Sequence, residues 1–192
     1  KSVLYDGWRH LFFIYPALLL IGLHGLVVLF TGLNLIVTGQ RYKTARILPI
    51  LLMIVGVSNP TYFMINNHPY QNLYFNQFAG PNMEVVKKNF DLDYWGLSYT
   101  QALNYIVKND PERYIKVVLA KFPIRFCADI LAKEDRERIV CSKYISGAKY
   151  FLGNYRMNRD GYPCEDEVYS VNVDSAKIAV VYNANTCKPG RY

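Results

Sequence analysis

Two long apolar runs separated by a short polar stretch occupy the first third of the chain, and the pattern then changes. Residues 11–37 carry no Asp, Glu, Lys or Arg, and residues 47–65 carry none either. An α-helix needs roughly 20 apolar residues to cross the ~30 Å hydrocarbon core of a bilayer. The core helix of a soluble domain is also apolar all round, but rarely for so long without a charge. The pattern predicts two transmembrane helices over about 11–37 and 47–65, joined as a helical hairpin by the polar turn 38–46. Pro49 falls in the first turn of the second span, where a missing N–H costs little. Pro60 falls late and is expected to kink or loosen the far end.

Residues 66–81 leave the second span dense in Tyr, Phe and Asn, as amphipathic side chains along a membrane surface would be. The segment 67–97 is therefore read as an interfacial, aromatic-rich linker. From residue 98 the periods shorten and alternate between helix and strand, predicting a small α/β domain over 98–192. Ser98 is the expected N-cap of an amphipathic helix through Val107, with Ala102, Leu103, Ile106 and Val107 on one face. Residues 114–120 are a strand rich in branched side chains. Pro123 opens a short helix to about Leu131. Residues 138–141 and 149–152 read as further short strands, and 156–161 as a loop. Residues 167–173 and 177–182, around Asp174-Ser175, form a predicted β-hairpin.

Charge sharpens the division. Asp6 is the one acidic residue in 1–66, and all other Asp and Glu lie beyond it. The net charge is +7, and Arg41, Lys43 and Arg46 sit between the two apolar runs. Positive residues mark the cytoplasmic side of a membrane protein. The turn is thus expected inside the cell and the C-terminal domain outside it, with membrane lipids as neighbours. The chain carries no aromatic RNA-binding pattern, zinc-finger spacing or basic helix, so no nucleic-acid partner is expected. The chain starts at Lys1 and enters the first span almost at once. It reads as part of a longer protein whose N-terminal portion is missing.

The candidate chemistry is sparse. Arg9 and His10 stand at the mouth of the first helix, and a guanidinium offers phosphate oxygens a planar fork of donors. Tyr5 and Trp8 lie where an aromatic belt meets the headgroups. His24 falls within the first span, where ionisable groups face a bundle interior or a wet cavity; hydrogen bonding to a neighbouring helix is the simpler expectation. Gly22, Gly25 and Gly32 suit close helix packing. Asp91 and Asp93, two apart, would share one face of an extended segment, where a carboxylate pair holds a divalent cation or works as acid and base. The plainer alternative is that they cap turns. No metal-ligand motif is present. Cys127, Cys141, Cys164 and Cys187 all lie in the outer half. Disulfides form in an oxidising compartment, and three pairings are open alongside free thiols. Cys127–Cys141 and Cys164–Cys187 is the pairing expected.

Several strings in order along the chain carry a resemblance. They are Tyr5-Asp6-Gly7-Trp8-Arg9-His10 ahead of an apolar helix containing Pro16, then His68-Pro69-Tyr70 and Tyr74-Phe75-Asn76. Asp91-Leu92-Asp93-Tyr94-Trp95-Gly96-Leu97-Ser98-Tyr99 follows, and then Asn154-Tyr155-Arg156. From residue 1 to about 182 the chain resembles the late part of bacterial family 39-like glycosyltransferases. These are multi-spanning GT-C enzymes related to protein mannosyltransferases and lipid A aminoarabinose transferases. The resemblance implies transfer of a sugar from a polyprenyl-phosphate donor to an acceptor on the outer face of the cytoplasmic membrane. The catalytic base of such enzymes lies near their first helices, outside this chain, so the chain alone is expected to be inactive. No cofactor is implied, and the partners are further N-terminal membrane helices of the same protein or another subunit. In that reading Arg9 and His10 bind the donor phosphate, and Tyr5 and Asp6 orient them. Asp91, Asp93, Tyr94 and Trp95 contact the acceptor or are structural. Two other classes remain: a non-catalytic anchored module binding a protein or glycan through its outer domain, and a subunit of a transporter or channel.

Overall fold

A computed structural model describes residues 13–36, 40–120, 129–156 and 158–188. It divides into two compact units, Lys1–Asn59 and Pro60–Tyr192.

The first unit is helical. α1 spans Tyr15–Ile36 and α2 begins at Gln40, running to Asn66 in the second unit. Within them, Tyr15–Leu33 and Ile47–Asn66 are long and apolar enough to cross a membrane. α2 starts before the expected span, because residues 40–46 continue the helix instead of forming a turn. Gln, Arg, Lys and Ala in that segment are good helix formers. Pro49 therefore sits inside the helix, not in its first turn. The large apolar side chains of both spans are exposed: Ile21 is 69% and Val55 67% accessible. A Cβ added at Gly22, Gly25, Gly32 or Gly56 would meet nothing within 4 Å. His24 is likewise exposed.

The second unit is a mixed α/β sheet domain. It comprises α3 (Met83–Asn89), α4 (Leu97–Asn109), β1 (Ile115–Leu119) and α5 (Lys133–Arg138). β2 (Ile139–Ser142), β3 (Tyr150–Asn154), β4 (Glu167–Val173) and β5 (Ala176–Asn183) follow. The sheet order is β2-β1-β3-β5-β4. β1 runs parallel to both β2 and β3, while β5 is antiparallel to β3 and β4. The expected hairpin is present as β4–β5. The short helix read from Pro123 falls largely outside the described residues; Asp129 and Ile130 form a turn.

Side chains alternate across the strands and fill two cores. Val117, Leu152 and Val181 face one side, with Tyr99, Leu103 and Ile106 of α4. Val118, Phe151 and Val180 face the other, with Tyr155, Tyr162 and Tyr182. The buried α4 positions Tyr99, Ala102, Leu103, Ile106 and Val107 recur at the helical period. The guanidinium of Arg138 closes the end of α4, donating to the Val107 carbonyl at 3.0 Å and also to the Asp110 carbonyl. Such donors satisfy carbonyls that a helix terminus leaves open.

Residues 67–97, read from sequence as an interfacial linker, contribute to the α4-side core. Tyr70, Leu73, Met83, Val86 and Leu92 are buried there, as is Phe63 in the last turn of α2. Phe63 packs edge-on against Tyr74 at 5.4 Å. Asn67 bonds Asp174 in the β4–β5 turn, its side-chain amide donating at 3.0 Å. The Tyr70 hydroxyl donates to Gln101 on α4. The expected cysteine pairing holds at Cys164–Cys187, which are bonded. Cys127 lies outside the described residues, so the Cys127–Cys141 expectation does too.

Candidate functional site

Two segments far apart in sequence meet where β3 ends. One is 91–99, leading into α4; the other is 154–159, leaving β3. Asn154 is buried and held from both sides. Its N–H donates to the Tyr99 hydroxyl at 3.1 Å, and its side-chain amide donates to the Asp93 carbonyl at 3.3 Å. The Tyr162 hydroxyl donates to the Asn154 carbonyl. Strings singled out separately in the sequence thus form one corner.

The two carboxylates of the first segment do not share a face. Asp91 is exposed and pairs with Arg159 at 3.0 Å. Asp93 is fully buried. Its backbone has φ +48°, which breaks the extended alternation on which a shared face depends. Its carboxylate accepts the Leu97 N–H at 2.8 Å, the Ser98 N–H at 3.2 Å and the Ser98 hydroxyl. The two N–H groups are orphan donors of the first turn of α4, so Asp93 caps this helix. Ser98, the expected N-cap, instead lies in the first turn and is a partner of that carboxylate; Gly96 occupies the N-cap position with φ +69°. Burial pushes the Asp93 carboxyl up to about 6, against the Ser98 and Leu97 hydrogen bonds that favour its charged form. The arrangement uses Asp93 to start a helix and leaves Asp91 in an exposed ion pair. It does not assemble a two-carboxylate acid–base site. Among the described residues no group of three His, Cys, Asp or Glu side chains is placed to hold a metal ion.

The aromatic residues of the corner are positioned for contact. Tyr94 and Trp95 pack edge to face at 5.2 Å, and Trp95 is 55% exposed. Arg156 lays its guanidinium over the Tyr94 ring, 3.5 Å from the centroid, and donates a long 3.4 Å bond to the Tyr94 carbonyl. Arg159 donates to the Lys88 carbonyl at 2.7 Å, tying the loop to the end of α3. Lys87 is buried with its ammonium 3.3 Å from the Tyr155 ring centroid. Burial pushes that ammonium down, with Lys177 adding to the effect and Glu84 opposing it.

Of the sequence candidates, Asp91, Asp93, Tyr94 and Trp95 belong to this corner. Tyr5, Asp6, Arg9 and His10 lie outside the described residues. Arg156, Arg159 and Lys87 were not among the expected site residues. Arg156 stood in a noted string, but no linear spacing connects it to Tyr94.

Together these features define a chain with two apolar, span-length helices and a disulfide-bonded mixed α/β sheet domain bearing an aromatic–guanidinium corner. No protein-family model, curated protein or solved structure matches the chain.

Proposed function

We propose that the chain is the C-terminal portion of an integral membrane glycosyltransferase that uses a polyprenyl-phosphate sugar donor on the outer face of the cytoplasmic membrane. The observation that carries the proposal is the meeting of 91–99 with 154–156. Two strings on which the family resemblance rests build one surface, with an aromatic pair suited to a sugar ring.

In this reading α1 and α2 are a membrane hairpin, with Arg41, Lys43 and Arg46 at the start of α2 on the cytoplasmic side. The Cys164–Cys187 disulfide supports an oxidising location for the domain. Arg9 and His10 bind the donor phosphate, whose charge grows as the sugar departs; positive donors there stabilise the leaving group. Tyr5 and Asp6 orient them. Tyr94 and Trp95 hold the acceptor. The main catalytic base belongs to membrane helices outside this chain.

The test is sugar transfer from labelled polyprenyl-phosphate donors in membranes containing the full-length protein. Arg9→Ala or His10→Ala is expected to lower kcat at least tenfold with unchanged insertion. Trp95→Ala is expected to raise the acceptor KM at least tenfold. Transfer unaltered by all three substitutions contradicts the assignment. A second reading, a non-catalytic anchored module that binds a glycan, is favoured by the structural engagement of both Asp91 and Asp93. It predicts glycan binding without transfer from any polyprenyl-phosphate donor.

A further inference from the structure

Beyond its stack on the Tyr94 ring, the Arg156 guanidinium has few partners inside the fold. Its one described hydrogen bond is the long one to the Tyr94 carbonyl. Its Nε is buried without a partner among the described residues. It takes part in none of the described ion pairs, whereas Arg159, three residues further on, pairs with Asp91. The Tyr94 face fixes the plane of the guanidinium, and a planar fork held in place recognises an oxyanion at lower entropic cost than a free one. Lys87, on the neighbouring α3, packs its ammonium on Tyr155 and is likewise in none of the described ion pairs. Beside Arg156 stand the Tyr94–Trp95 pair and the exposed Trp95.

From this juxtaposition we infer that the corner binds an anionic carbohydrate, a sugar ring carrying a carboxylate or a phosphate. Trp95 covers the ring and Arg156 takes the oxyanion. The inference rests on the acceptor role given to this corner above and adds the charge of the acceptor. Arg156 takes the oxyanion through charge-assisted bonds from its terminal guanidinium nitrogens, its Nε being buried. A neutral sugar would fill the aromatic contact and leave the guanidinium unanswered.

The experiment is calorimetric titration of the full chain in phosphatidylcholine nanodiscs with three probes. These are a galacturonate oligosaccharide, its neutral galactose counterpart and a hexose 6-phosphate. At least one anionic probe is expected to bind saturably and at least tenfold more tightly than the neutral sugar. Which anionic probe binds separates carboxylate from phosphate chemistry. Arg156→Gln should abolish the preference, and Trp95→Ala should weaken neutral and anionic probes together. The wild-type comparison needs no variant, so it stands even where Arg156→Gln fails to fold. Equal affinity for charged and neutral probes, or no saturable binding of either anion, overturns the inference. Loss of anionic-sugar binding on moving to nanodiscs rich in phosphatidylglycerol, with Arg156-dependent lipid binding in its place, overturns it too. Anionic-sugar binding without polyprenyl-phosphate-dependent transfer removes the enzyme reading and leaves this site standing. Transfer that is indifferent to acceptor charge removes this inference alone.

Discussion

The guanidinium of Arg156 lies 3.5 Å from the centroid of the Tyr94 ring, although 62 residues separate the two. The contact fastens the segment ahead of α4 to the loop leaving β3. A partly desolvated cation–π pair contributes about 1 kcal/mol. Tyr94→Leu keeps an apolar side chain but removes the π face, and is expected to lower domain stability by about that amount. Arg156→Lys should recover only part of the contact, because an ammonium does not stack as a plane. Urea titration of the full chain in detergent, followed by near-ultraviolet circular dichroism, checks both. Equal midpoints for wild type and Tyr94→Leu would show that the stack is energetically idle.

Asp93 gives a pH dependence with a defined sign. Its carboxyl moves from an ordinary 3.8 to about 6 in the fold, chiefly through burial. The folded state therefore holds a proton that the unfolded state has released between those values. Its contribution to stability is greatest below pH about 4 and is lost as pH rises through about 6. Asp93→Asn keeps an acceptor for the α4 N–H groups and tolerates the positive φ. It should flatten stability across this window. Asp93→Ala loses both the cap and the backbone tolerance, costing about 2 kcal/mol. Stability of the wild type that rises between pH 4 and 6, with no change in slope on Asp93→Asn, would contradict the assignment.

The disulfide links Cys164 to Cys187 across a separation of 23 residues. Closing a loop of that size removes about 3 kcal/mol of unfolded-state entropy in the chain-entropy account. The Cys164→Ser/Cys187→Ser double variant should lose about that much. Full-length protein isolated under alkylating conditions should carry the bond already formed. A fully reduced pair would place the domain in a reducing compartment.

Gly153 packs where a larger residue has no room. A Cβ there would stand 2.6 Å from the Tyr162 ring, which is held by edge contact with Phe151 at 4.8 Å and by its bond to Asn154. Gly153→Ala is expected to cost about 1–3 kcal/mol through overpacking. In a Tyr162→Ala background the same change should cost far less, since neighbouring effects are non-additive. A strictly additive double-mutant cycle would put the clash elsewhere.

The parts that were legible in the sequence were those with a long or regular period. The two apolar runs needed only their length. α4 announced itself through Ala102, Leu103, Ile106 and Val107, and the β4–β5 hairpin through alternation on either side of Asp174-Ser175. α3 was missed because Met83–Asn89 is too short for a helical period to stand out. The role of 67–97 was misjudged because Tyr70, Leu73 and Leu92 look the same in sequence whether they meet lipid or a protein core. Asp91 and Asp93 suggested a pair because spacing alone carries no φ angle, and the positive φ at Asp93 turns the two apart. The Arg156–Tyr94 contact is tertiary and left no local mark.

The most direct test combines alkaline carbonate extraction of membranes with protease digestion of intact spheroplasts expressing the full-length protein. If α1 and α2 cross the bilayer and the domain faces outward, the chain stays with the carbonate-washed membrane. External protease then digests the domain beyond α2, residues 67–192, while a cytoplasmic marker survives. Release of the chain by carbonate, or a domain digested only after the spheroplasts are lysed, would contradict the account.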